Sequence, residues 1–194
     1  MTTSEYIITI IFILSAVLKD AVFENQNETT FATVFRPKAV ITSHLDVISR
    51  DLCPNLRYFV TFSSATCGRG NPGQTNYGMA NSVMESICEN RQNDGLPGLA
   101  IQWGPIKDVG ILSNHESNKP IMGLLQQEIS SCLKALEVFL TQSEPIVSSM
   151  VIPKQNIKES SETDILSSVT NIMGINKHYV SLNSSLGELG LNSI

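Results

Sequence analysis

Three short apolar runs constrain the fold more than anything else in the sequence: RYFVTFSS (57–64), LAIQW (99–103) and IVSSMVI (146–152). Each carries β-branched or aromatic residues and is too short for a typical helix, so each is expected to be a strand. Segments of helical period lie between them. From Thr29 to about Leu52, Phe31, Val34, Phe35, Val40, Ile41, Leu45 and Ile48 recur by threes and fours. Pro37 should kink this helix or divide it, and Pro54 stops it. A second helix, roughly 74–92, presents Ala80, Val83, Met84 and Ile87, and helical pattern returns over 119–143. Strands alternating with helices of this length predict an α/β, Rossmann-type doubly wound parallel sheet. Its crossovers should be right-handed, with helices on both faces. Sites in such sheets lie outside the carboxyl ends of the strands, where Ser64 and Trp103 stand.

The stretch YIITIIFILSAVL (6–18) is too short for a membrane span, which needs about 20 residues. Its Ile-rich composition fits a fully buried parallel strand. The alternatives are a signal segment ending at Ser15-Ala16, with no Lys or Arg before it, and a membrane anchor. The strand reading implies a cytoplasmic protein with reduced thiols. Cys53, Cys67, Cys88 and Cys132 form no C-x-x-C pair and give no zinc or disulfide framework. His44, His115 and His178 lie too far apart in sequence to suggest a metal site. A net charge of -5 without a basic stripe excludes a nucleic-acid surface. The charged fraction of 16% is below the roughly 25% of typical soluble domains, which fits a piece of a larger protein.

Chemistry concentrates in FSSATCGRGNPGQTNYGMAN (62–81). A tyrosine works as a general acid when its pKa, near 10 in water, is brought towards operating pH, and a nearby cation does this by favouring the phenolate. A neighbouring hydroxyl can hold a substrate carbonyl in reach. Ser64 at a strand end and Tyr77 early in the next helix could converge. Asn81, one turn on, faces the same way, and Lys38 on the preceding helix is the candidate cation. Ser63 reads as a packed strand residue and Cys67 has no partner suggesting nucleophilic work.

The stretch from FSSATCGRGNPGQTNYGMAN through to LPGLAIQWG, with AVLKDAVFENQ and RPKAV before it, resembles the later part of the ketoreductase domain of animal-type fatty acid synthase. The resemblance covers about Leu14 to Ile152. It implies membership of the short-chain dehydrogenase/reductase superfamily and reduction of a 3-oxoacyl thioester with NADPH. It also implies roles: Tyr77 the proton donor, Ser64 the carbonyl binder, Lys38 the group that tunes Tyr77 and touches the nicotinamide ribose, Asn81 the holder of a proton-relay network. Trp103 and Gly104 would lie beside the nicotinamide, although Trp103 reads equally well as core. Lysine before the serine and asparagine after the tyrosine is the exchange characteristic of synthase ketoreductases. The implied partners are an acyl carrier domain with its acyl thioester and the other synthase domains. A polyketide-synthase-type ketoreductase and an inactive copy or interaction fragment are the alternatives.

Two features depart from that family. No G-x-G-x-x-G turn follows the first apolar run, the one match (Gly68–Gly73) lying between Ser64 and Tyr77, so the dinucleotide's pyrophosphate lacks its usual cradle and the isolated chain is expected to be inactive. MTTSEYIITIIF matches only in being apolar. The expected organisation is a partial ketoreductase domain over 1–152, a linker over 153–161 and the start of an acyl carrier domain over 162–194. In that tail LGELGLNSI resembles the carrier motif, with Ser193 as the phosphopantetheine serine. Asn192 and Ile194 stand where the family has aspartate and leucine, so Ser193 is expected to be unmodified in this chain.

Overall fold

The computed structural model describes residues 7–107, 121 and 123–153. The chain divides into two compact units, Met1–Pro153 and Lys154–Ile194. The expected linker beyond Pro153 and the carrier segment over 162–194, with Ser193, lie outside the described residues.

Four strands, β1 (Ile10–Ile13), β2 (Tyr58–Ser64), β3 (Leu99–Trp103) and β4 (Ile146–Ser149), form one parallel sheet in sequential order. Between β1 and β2 run α1 (Glu28–Phe35), a π-helical turn (Arg36–Val40) and α2 (Ile41–Leu52). Between β2 and β3 come the short α3 (Ala65–Arg69) and the long α4 (Thr75–Asn93), and α5 (Ile129–Phe139) precedes β4. One core layer gathers Ile13, Phe59, Met84, Cys88 and Ala100 with Leu45 and Ile87, so α2 and α4 share a face. The other gathers Val60, Ile101, Trp103 and Cys132 with Leu136 and Phe139, which puts α5 on the opposite face. The strands advance in one direction throughout. The third crossover therefore has the opposite hand to the first two, against the uniform right-handedness expected.

Two expectations change. The apolar run at 6–18 does supply a strand, but β1 is an outer strand of the sheet rather than a fully buried one. Only Ile13 is buried; Ile7, Ile8, Ile10, Phe12 and Leu14 are exposed. No helix among the described residues is long and apolar enough to cross a membrane. The second change concerns the helical face over 29–52. Asn27 opens α1 with a capping box, its side chain accepting from Thr30 N while Thr30 Oγ1 accepts from Asn27 N. Pro37 has no N–H for the ladder, and the chain widens into the π turn instead of breaking. Lys38, Ala39, Thr42 and Ser49 then face inward, while Val40, Ile41 and Ile48 are left outside.

These inward polar groups are satisfied. Thr42 Oγ1 donates to Lys38 O (2.6 Å). Buried Arg91 donates through Nε to Pro97 O (2.7 Å) and through one terminal nitrogen to Asp46 Oδ1 (2.7 Å) and Ser49 Oγ (3.0 Å). Its guanidinium also lies 4.1 Å from the Phe59 ring centroid. Gly98 lets the chain pass under this cluster: a Cβ there would meet Cys88 O at 2.5 Å. Because that contact is backbone, Gly98→Ala should destabilise the protein by about 1–3 kcal/mol, read as a lower denaturant midpoint with unchanged slope.

Candidate active site

The parallel register pairs Ser64 with Trp103, so two strand ends open side by side into a cavity of about 440 Å³. Phe62, Ser64, Tyr77, Trp103 and Gly104 line it, with an apolar wall of Leu14, Leu18, Ile106 and Ile121. Ser64 ends β2 and caps α3, its Oγ accepting from Thr66 N at 3.2 Å. The oxygen is thus engaged as an acceptor and the hydroxyl proton is free to donate. This cap was not legible in the sequence, which reads as loop where α3 forms.

Tyr77 sits in the first turn of α4. Asn76 Oδ1 accepts from Tyr77 N (2.7 Å), and Asn76 Nδ2 donates to Lys19 O (2.9 Å) and Gln26 Oε1 (3.0 Å). The helix start is thereby tied to the segment after β1, which Gln74 reinforces by donating from Nε2 to Asp20 Oδ2 (2.9 Å). Asn81 Nδ2 donates to Tyr77 O (2.9 Å), while its Oδ1 is buried without a partner. Asn76 and Gln74 went unnoticed in the sequence because buried amides leave no hydropathy signal.

Lys38 arrives from the π turn, 1% exposed. Its Nζ donates to Ser15 O (2.9 Å) and Phe62 O (3.1 Å) and lies 5.3 Å from the Tyr77 ring centroid. Burial lowers its pKa from 10.5 to about 8. Burial also holds the Tyr77 phenol above its ordinary value, and the charge of Asp20 adds to this, while hydrogen bonding with Asn81 and Ser64 pulls it back. The expected cation effect does not win: desolvation outweighs the hydrogen bonds that favour the phenolate, and the phenol is held above its ordinary value rather than below it.

Lys38, Ser64, Tyr77 and Asn81 are thus gathered at one place. Trp103 is both core and cavity wall: it is buried, its ring tilted between those of Phe62 (5.6 Å) and Phe139 (6.2 Å), and its Nε1 has no partner. Gly104 is glycine for packing, since a Cβ would meet Met150 Cβ at 3.1 Å and Gln127 Nε2 at 3.2 Å. Ser63 donates to the buried Glu85 carboxylate, which also accepts from Gln102 Nε2 at 3.1 Å. Burial, with the Glu85 charge beside it, pushes the Cys67 thiol up to about 12, so this sulfur is no nucleophile.

The KR domain model matches residues 2–108, just over half of the chain. This chain belongs to the KR domain family. The match begins at residue 2, so MTTSEYIITIIF lies within the family's span. A probable polyketide synthase 1 of Dictyostelium discoideum is 33% identical over 153 residues, 77% of this chain and 5% of that protein. A highly reducing polyketide synthase 40 of Fusarium mangiferae is 36% identical over 115 residues, 59% of this chain and 4% of that protein. An A1-type ketoreductase structure is similar at TM-score 0.69 and 26% identity, covering 74% of this chain and 30% of the other. A ketoreductase domain from the bacillaene assembly line also gives TM-score 0.69 and 26% identity, covering 78% and 38%. The chain thus spans about one twentieth of these curated relatives and about a third of these solved chains. The relatives are polyketide synthases, and the fatty acid synthase implied by the resemblance is not singled out.

Below pH 8 the buried Lys38 carries its charge at a cost, and between 8 and 10.5 the unfolded chain binds a proton that the folded one does not. Stability should therefore rise with pH across that window by roughly 3 kcal/mol from this group. The difference in unfolding free energy between wild type and Lys38→Met, measured at several pH values, should carry that slope.

Proposed function

We propose that residues 7–153 form the catalytic part of a polyketide-synthase-type ketoreductase, reducing the 3-oxo group of a carrier-bound acyl thioester to a 3-hydroxyl. The observation carrying this reading is that Ser64 and Tyr77 line one cavity at the carboxyl ends of β2 and β3, with Lys38 and Asn81 gathered against Tyr77 behind it. The polyketide-type assignment takes precedence over the fatty acid synthase one because the curated relatives above are polyketide synthases. Both would run the same reduction.

In this reading the Ser64 hydroxyl donates to the substrate carbonyl and fixes its orientation. Tyr77, protonated at neutral pH, donates its phenolic proton to the developing alkoxide oxygen. Lys38 beside the ring then stabilises the phenolate left behind, and Asn81 holds the first turns of α4 in place. The apolar wall of Leu14, Leu18 and Ile121 takes the acyl chain and excludes water.

The residues lining the cavity fit the nicotinamide end of NADPH: Trp103, with its unpartnered Nε1, and Gly104 would lie beside the ring, and by the family resemblance Lys38 would touch its ribose. Bound there, the cofactor would supply the hydride. No glycine-rich phosphate turn follows β1, so the 194 residues alone are expected not to bind NADPH at micromolar concentration. Trp103 is the chain's single tryptophan, and quenching of its fluorescence by added NADPH measures this directly. By motif alone, Ser193 would be a phosphopantetheine serine of a carrier segment after a linker. The carrier-bound substrate and the other synthase domains would be partners in the cytoplasm.

Catalysis is tested by replacing the equivalent segment of an intact polyketide synthase ketoreductase with residues 7–153. NADPH oxidation driven by a 3-oxoacyl thioester should be retained, and Tyr77→Phe should lower kcat about 10²–10⁴-fold. Undiminished turnover in the phenylalanine variant would remove Tyr77 from the role of proton donor.

A further inference from the structure

We infer that Ser15 is a positioning residue for Lys38, clamping it from both sides: its hydroxyl holds the Pro37 carbonyl and its own carbonyl holds the Lys38 amine. The inference rests on the reading of Lys38 as a working group of the site.

Lys38 has no carboxylate partner among the described residues, so two backbone carbonyls, Ser15 O and Phe62 O, decide where its amine lies. They are not equally secure. Phe62 belongs to β2, the strand paired on both sides, and its carbonyl is fixed by the sheet. Ser15 lies two residues beyond β1, in irregular backbone. A carbonyl there would be free to turn away unless something tied it down. The tie is the Ser15 side chain, whose Oγ donates to Pro37 O. Pro37 is the second residue of the π turn that carries Lys38, and the turn's backbone is thereby fastened to the exit of β1.

The two bonds close a ring: Ser15 hydroxyl to Pro37 carbonyl, along the chain to Lys38, and from Nζ back to the Ser15 carbonyl. Alanine or glycine at 15 would offer the carbonyl but could not close the ring. The titratable group facing the amine is Tyr77 on α4, its ring centroid 5.3 Å away. No ionisable side chain approaches the amine from β1 or β2 among the bonds of this site. A shift of the turn therefore changes both the charge stabilisation of Lys38 and its placement over the phenol.

The test is a pH titration of the full chain with carbon-13 at the lysine Cε, the Lys38 resonance being assigned by its loss in Lys38→Met. Wild type should titrate near 8. Ser15→Ala should lower the midpoint to about 7, because the amine stays desolvated while losing one of the two carbonyls that favour its charged form. Ser15→Thr, which keeps a hydroxyl, should remain near 8, and both variants should melt within a few degrees of wild type. An unchanged midpoint in Ser15→Ala, or a rise towards 10.5 showing that Ser15 only keeps water out, would overturn the clamp. So would a threonine variant that behaves like alanine. The titration needs no turnover, so an inactive graft with a Ser15-sensitive Lys38 would sink the ketoreductase reading and leave the clamp standing.

Discussion

A primary ammonium buried between two strands, answered only by backbone carbonyls, is the interaction around which this site is built. Taking Lys38 out of water costs stability, and no carboxylate offsets the cost. A carboxylate would have lowered the penalty, but it would also have neutralised the field that the amine exerts on the Tyr77 ring. Carbonyl dipoles hold the cation without cancelling it. The π turn, the buried Thr42 and the exit of β1 all serve to bring that one amine to the gap between β1 and β2. Sites that keep such destabilising groups do so where activity needs them.

The same need explains why the helices face the sheet with polar residues. On α4 the inward positions include Asn76, Asn81, Glu85 and Arg91, and on the turn and α2 they include Lys38, Thr42 and Ser49. Buried polar groups are tolerated when they are bonded, and nearly all of these are. Arg91 fastens α2 to α4 through Asp46 and Ser49, and Glu85 fastens α4 to β2 and β3 through Ser63 and Gln102. Tyr77, Asn81 and Glu85 follow one another at single-turn spacing. The residues that set the height of α4 over the strand ends are thus continuous with those at the cavity.

Much of this was legible in the sequence, and the failures share a cause. The strands over 58–64 and 99–103 announce themselves because β-branched and aromatic runs have few other uses. The helices over 28–52 and 75–93 were legible as helices, and Ala80, Met84 and Ile87 of the second do face the core, but the first was misjudged as a face, because hydropathy assumes that the inward stripe is apolar. Val40, Ile41 and Ile48 fit that assumption and lie outside; Lys38, Thr42 and Ser49 violate it and lie inside. The π turn adds to the error by carrying the helix through Pro37 rather than ending it. The cavity set itself was recoverable from motif rather than from periodicity. Nothing in the spacing of 38, 64, 77 and 81 requires convergence; the parallel register and the length of the crossover bring it about.

What was least legible is what distinguishes one ketoreductase from another. The reacting groups stand on strand ends and helix starts, which packing fixes. The apolar wall comes instead from segments with no regular structure, Leu14 to Leu18 after β1 and Ile106 and Ile121 after β3. The segment after β1 is fastened around the start of α4, where Asn76 holds Lys19, Gln74 holds Asp20 and Gly73 O accepts from Ala21 N at 3.0 Å, and after β3 Ile121 exchanges backbone bonds with Leu124. A wall anchored at a few backbone points can change its side chains without moving the serine, tyrosine or lysine. That separation lets the wall vary while the four residues proposed to carry the reduction keep their places.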